Sequence, residues 1–273
     1  MASKNFDASI SKARDYLSKF DGGSVTFESC DKTGIGRIFL HNEGKKNSLT
    51  GKMMVDFYEC VEQLAKWKHG KLVIISGKGE DFCSGGDLGF VKQIAKPEDG
   101  YLMCTFMGEV MRKLRSLPVI SIANVKGYAL GGGTEIVCSC DIRVSHQDAK
   151  LGLVQARLGV TPGWSGLSRL VEIVGRSKAI ELLTTSAILS AKEAKELGIV
   201  NFVYESDDEL KKYLEKFQKN EPEVIQACKK AISALDDESS FEGKHRAERE
   251  VFASVWGGTH HLEALAKNTK HNK

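Results

Sequence analysis

The stretch Gly127-Tyr128-Ala129-Leu130-Gly131-Gly132-Gly133-Thr134-Glu135 decides how this chain is read. It follows an apolar run, Val119-Ile120-Ser121-Ile122-Ala123-Asn124-Val125, and precedes a second apolar stretch that opens at Ile136. The order predicts a strand, a turn of bare backbone, then the start of a helix. Glycines without side chains let a ligand approach the main chain itself. The unpaired N–H groups and the dipole at a helix start favour negative charge there. Glu135 lies two residues beyond the last glycine, in reach of a proton at the same spot. A place for an oxyanion beside a carboxylate is the outline of an active site.

Working outward, a second glycine turn has the same setting. Lys71-Leu72-Val73-Ile74-Ile75-Ser76 reads as a buried strand and leads into Phe82-Cys83-Ser84-Gly85-Gly86-Asp87-Leu88. Two such turns can point two backbone N–H groups at one carbonyl oxygen, although glycines also serve merely to permit tight turns. Upstream, Val25 to Glu28 and Ile35 to Leu40 flank a turn with Asp31 and Gly34, a hairpin pattern. Met53, Phe57, Val61 and Leu64 then follow helical spacing. A helix is expected over 101–115 and a strand over Asp141 to Ser145. A capping box at Ser190 to Glu193 starts a helix that stops at Gly198, before a strand-like Ile199 to Tyr204.

Beyond Asp207 only helical segments follow, near 207–219, 222–235 and 240–255, with Pro222 at a helix start. Ile10, Ala13, Tyr16, Leu17 and Phe20 predict a packed N-terminal helix. The expected division is a helical extension over 1–23, an α/β core over 24–205 and a helical region over 206–273.

With 41% hydrophobic and 27% charged residues, the chain can bury a sizeable core. Its net charge of +3 and lack of a long basic run give no case for nucleic acid or membrane as partner. No stretch reaches the roughly 18 apolar residues of a membrane helix. Seven cysteines form no C-x-x-C pair, and three lie in apolar runs, which suits reduced thiols. The first 20 residues lack a signal peptide's apolar core. Asp7 and Asp15 argue against a mitochondrial presequence, so the cytosol is the expected location.

Competing motifs fail on spacing. The triple glycine lacks the Lys-Ser/Thr of a phosphate loop, and Gly163-Trp164-Ser165-Gly166 misses the G-x-S-x-G pattern. His260-His261 has no accompanying cluster, so no metal site is expected.

Taken together, both glycine turns, Asp141-Ile142-Arg143, Leu158-Gly159-Val160-Thr161-Pro162-Gly163 and the Ala191 to Gly198 segment resemble the crotonase (enoyl-CoA hydratase/isomerase) superfamily. The resemblance implies a spiral of β-β-α units with a C-terminal helical region that mediates trimer packing, in a homotrimer or homohexamer. It implies an acyl-CoA ligand, with CoA entering as part of the substrate and no separate cofactor. The thioester oxygen would be held by the N–H groups of Gly86 and Gly132, and Glu135 matches the first of the hydratases' two catalytic glutamates.

The position of the second is Gln155 here, and an amide neither takes up nor donates a proton as a carboxyl group does. Hydration calls for acid–base help at both carbons, so a simple hydratase is disfavoured. Loss of CO₂ from a malonyl-type thioester needs no base; it leaves an enolate whose charge lies on the oxygen that the two glycines hold. Further segments, Pro97 to Gly100, Pro162 to Gly166, Arg169 to Gly175 and Val255 to Ala264, resemble a decarboxylating branch of the superfamily. That resemblance implies a metabolite-repair enzyme acting on ethylmalonyl-CoA and more slowly on methylmalonyl-CoA, with Glu135 or a water it positions protonating the enolate. A hydratase or isomerase, and an inactive acyl-CoA-binding scaffold, are the alternatives. Lys46, Ser84, Trp164 and Gln155 are the expected substrate-binding residues; Asp87 is expected to cap a helix, and Arg157 to make a structural salt bridge.

Overall fold

The computed structural model describes residues 2–236 and 238–267. Nine strands are present among them: β1 (Ser24–Cys30), β2 (Ile35–His41), β3 (Leu72–Gly77), β4 (Ile120–Val125), β5 (Tyr128–Leu130), β6 (Ile142–His146), β7 (Lys150–Gly152), β8 (Leu189–Ser190) and β9 (Phe202–Tyr204). Helices α1 (Ala2–Leu17), α2 (Gly51–Lys66), α3 (Leu88–Gln93), α4 (Pro97–Ser116), α5 (Gly132–Ser139), α6 (Gly166–Thr185) and α7 (Ala191–Glu196) are interspersed with them. The chain then turns wholly helical, with α8 (Asp207–Glu215), α9 (Pro222–Asp236), α10 (Phe241–Val255) and α11 (Thr259–Ala266).

The main sheet runs in the order β1-β2-β3-β4-β6-β9. The β1–β2 hairpin is antiparallel, pairing Phe27 with Ile38, and every later neighbour is parallel. Parallel strands with helices on both faces are buried on both. Accordingly Val73 and Ile75 enter the main core, while Leu72 and Ile74 pack on the opposite face with Ile122, Val144, Tyr204, Leu210 and Leu214.

Helix α2 bears out its periodicity: Met53, Phe57, Val61 and Leu64 are buried, and the Thr50 hydroxyl caps it by accepting from the Met53 N–H at 3.3 Å. Ile10, Ala13 and Leu17 are buried likewise, packing α1 against α2 and α4. The capping box at Ser190 is present, and Gly198 leaves α7 with φ 76°.

The triple-glycine segment is more than strand, turn and helix. Residues 128–130 form β5, which belongs to a second sheet of order β5-β7-β8 that the periodicity does not reveal. The 101–115 helix begins four residues earlier, with Pro97 in its first turn, and α11 adds a fourth C-terminal helix.

Candidate active site

The two glycine turns interlock backbone to backbone. Cys83 N–H donates to the Tyr128 carbonyl and Leu130 N–H to the Cys83 carbonyl, both at 2.9 Å. A Cβ on Gly133 would lie 2.0 Å from the Cys83 carbonyl oxygen, so no side chain fits there. Gly85 has φ 101°, and a Cβ on it would come within 3.1 Å of Gly132 N.

This contact brings the two expected donors together, and neither is consumed by regular structure. The bridge between the Leu49 and Gly86 segments uses Leu49 N–H to the Gly85 carbonyl and Asp87 N–H to the Leu49 carbonyl, which skips the Gly86 N–H. Gly132 is the first residue of α5, where an N–H has no helical carbonyl behind it. The Thr134 hydroxyl fixes the turn by donating to the Ala129 and Gly152 carbonyls at 2.5 and 3.0 Å.

Trp164 roofs this pair. Its buried indole lies so close to Gly132 that a Cβ there would be 2.2 Å from the ring; one on Gly86 would be 3.8 Å from it. The two N–H groups therefore sit under an apolar wall, where a dipole acts on a developing charge more strongly than in water.

Glu135 lies behind them, buried, with its carboxylate enclosed by donors. Oε1 accepts from Gln155 Nε2 at 2.9 Å and Gly163 N–H at 3.2 Å; Oε2 accepts from Trp164 N–H at 2.7 Å and Gly166 N–H at 3.0 Å. Burial pushes this carboxyl above its ordinary value, and the hydrogen bonds only partly oppose that. Gly166 is glycine because a Cβ would sit 2.4 Å from that of Glu135. The Pro162–Gly166 motif thus holds the carboxylate and carries the tryptophan wall. Sequence reasoning could not assign that role, since backbone N–H groups leave no side-chain signature.

Gln155 opens a short 3₁₀ turn, Gln155–Leu158, and faces Glu135 as the alignment of the glutamate pair suggests. Lys46 and Ser84 lie at the rim. Ser84 N–H donates to the Lys46 carbonyl at 2.9 Å and its hydroxyl to the Lys45 carbonyl at 3.3 Å. Lys46 Nζ rests 3.3 Å from Asp81 Oδ2 and 4.3 Å from the Tyr128 ring centroid, half exposed. Asn47 is buried and pins this loop, donating to the Lys78 and Asp81 carbonyls. Asp87 caps α3 through the Phe90 N–H and pairs with Lys45 at 2.8 Å. Arg157 does not make the expected salt bridge; it donates to the Ser186 carbonyl at 2.7 Å. Two clefts, of 600 and 560 Å³, lie under α8 and beside α9, and neither is lined by Gly86, Gly132, Glu135 or Trp164.

The sequence pattern described as enoyl-CoA hydratase/isomerase matches residues 31–266. The chain belongs to that family. Its relatives include ethylmalonyl-CoA decarboxylase of Homo sapiens, 39% identical over 94% of this chain and 85% of the relative. The Gallus gallus protein of the same name is 38% identical over 97% of this chain and 90% of its own. Among solved structures, the enoyl-CoA hydratase of Thermoplasma volcanium superposes with a TM-score of 0.82 at 27% identity, over 90% of this chain and 97% of that one. A putative enoyl-CoA hydratase of Thermobifida fusca, solved in complex with acetoacetyl-CoA, gives 0.75 at 25%, over 85% and 94%. The α/β crotonase fold implied by the family resemblance is therefore the fold found.

Proposed function

We propose that this protein is a carboxy-lyase that removes CO₂ from a 2-alkylmalonyl-CoA, ethylmalonyl-CoA ahead of methylmalonyl-CoA, to give the acyl-CoA. The reading is supported by one juxtaposition: the turns that carry Gly86 and Gly132 lie against each other beside the Trp164 indole, and an amide, Gln155, bonds the Glu135 carboxylate where a hydratase would need a second acid. The thioester oxygen would lie between Gly86 and Gly132. When the C–C bond to the carboxylate breaks, its electron pair moves into the thioester, and the negative charge arrives on that oxygen. Each preorganised donor typically contributes about 3 kcal/mol in the transition state. With the thioester oxygen there, the substrate carboxylate would meet the Trp164 indole rather than a cation, which would do nothing to stabilise the charge that must be lost.

The similarity to ethylmalonyl-CoA decarboxylases supports the substrate class. Lys46 and Ser84 belong to the rim that the CoA moiety would cross. A homotrimer or homohexamer, a cytosolic location and a metabolite-repair role go with this reading.

Purified protein assayed with ethylmalonyl-CoA and with crotonyl-CoA tests it. Release of CO₂ with butyryl-CoA formation is expected; hydration of crotonyl-CoA without CO₂ release from ethylmalonyl-CoA would overturn it.

A further inference from the structure

The enolate left by CO₂ loss needs a proton on carbon, and Glu135 is badly placed to give it. An ionised carboxylate offers about four lone-pair positions. The four donors from Gln155, Gly163, Trp164 and Gly166 occupy them. To hand a proton to the enolate, either oxygen would have to turn away from these donors.

Gln155 is differently situated. Its NH₂ is turned to Glu135, and exchanging its nitrogen and oxygen would set two acceptors against each other, so the carboxylate dictates the orientation of the amide. The Gln155 carbonyl oxygen therefore points away from Glu135. Among the described residues it is the buried side-chain oxygen or nitrogen without a hydrogen-bond partner. The amide lies beside the oxyanion turn: a Cβ on Gly131, the neighbour of Gly132, would be 3.9 Å from its carbon and nitrogen. A buried acceptor without a donor costs about 1–3 kcal/mol, so this oxygen favours a ligand that brings one. The thioester and carboxylate of the substrate bring only acceptors. Water brings two donors.

We infer that Gln155 Oε1, oriented by Glu135, seats the water that protonates the enolate carbon, and that it does so on one face. This rests on the decarboxylase reading. In the step, one O–H bond of the water breaks as the new C–H bond forms, and the electron pair of the enolate returns from oxygen to make it. The hydroxide left behind adds to the released CO₂ to give bicarbonate, so atoms and charge balance. Gln155 acts through the water and is a positioning residue, as is Glu135 behind it.

The test is stereochemical. Wild type and Gln155→Met convert ethylmalonyl-CoA in D₂O, in incubations shorter than spontaneous exchange of the α-hydrogen, and the configuration at C2 of the deuterated butyryl-CoA is determined. Wild type is expected to give one configuration. Gln155→Met is expected to give both in comparable amounts, with kcat lower by about tenfold or more. A role in folding alone would lower activity without scrambling the label. Should Gln155→Met not fold, Gln155→Asn, which keeps the amide but withdraws it by one methylene, gives the same readout. A single configuration from a folded, active variant overturns the inference, as does scrambled label from wild type. If wild type forms no butyryl-CoA from ethylmalonyl-CoA, the decarboxylase reading falls, and this inference with it.

Discussion

At the scale of single residues, adjacent glycines in one motif have different reasons to be glycine. At Gly133 an added Cβ meets a backbone carbonyl at 2.0 Å, whereas at Gly132 it meets the Trp164 ring at 2.2 Å. Backbone cannot move without undoing the interlock of the two turns, but an indole can be displaced. Gly133→Ala is therefore expected to yield no soluble folded protein. Gly132→Ala is expected to fold, with a lowered melting temperature, and to lose about 10²-fold or more in kcat as the roof over the donors shifts. Circular dichroism on both variants, with decarboxylation assays on the folded one, separates the two effects. Equal behaviour would show that Trp164 is as immobile as the main chain. Glu135 adds a dependence on pH. Because burial raises its pKa in the folded state, the native protein binds this proton more readily than the unfolded chain does. Its contribution to stability is full below the unfolded value and fades as pH rises through the folded one. Glu135→Gln cannot ionise. The stability of wild type relative to this variant, from urea melts, should fall as pH rises above the ordinary carboxylate range, whatever constant offset the lost hydrogen bonds add.

At the scale of elements, the long pieces are legible and the short ones are not. Helix α2 shows its buried face every three to four residues, and the parallel strands show as unbroken apolar runs, because both patterns repeat often enough to be counted. Strands β5, β7 and β8 have three, three and two residues, too few for any period to register. Half of the candidate site was legible by the same logic. The glycine turns announce themselves by composition, whereas the clasp on Glu135 uses main-chain donors 28 to 31 residues away, whose direction only the fold sets. Similarly hidden is the docking of α9. Lys229 is buried and bonds Asp141 Oδ2 at 2.7 Å and the Val119 carbonyl at 2.8 Å; Asp141 also accepts from the Ser121 N–H and hydroxyl. Nothing near Lys229 in sequence marks it as a core residue. Removing Lys229 leaves Asp141, partly exposed and still held by Ser121, without its counter-ion, at a cost of about 1.5–3 kcal/mol. Lys229→Met should lower stability by that amount in denaturant titration, more than loss of the exposed Lys126–Asp207 pair, which belongs to a class worth about 0–1 kcal/mol.

At the scale of the whole molecule, the C-terminal helices leave large apolar side chains in solvent. Ile232 on α9, Phe241 and Phe252 on α10, Trp256 just after it, and Leu262 and Leu265 on α11 are all more than half exposed. Phe252 and Trp256 pack ring to ring at 5.0 Å, and Trp256 packs on His261 at 4.5 Å, so the surface is ordered before any partner arrives. Large apolar side chains left exposed on neighbouring segments mark an association site, and aromatic anchors carry a disproportionate share of the energy there. The oligomer proposed for this protein gives that surface an occupant, a second copy of the chain. A charge at Trp256 tests this, because burying it unpaired in an interface costs several kcal/mol while an exposed position in the monomer tolerates it. Trp256→Glu is expected to shift the molecular mass measured by light scattering from a multiple of 30.0 kDa to 30.0 kDa itself. Far-ultraviolet circular dichroism should be unchanged. Because Gly86, Gly132 and Glu135 are all set by contacts within the core, the separated chain should still release CO₂. If it does not, the active site depends on the neighbouring copy as well as on its own glycine turns.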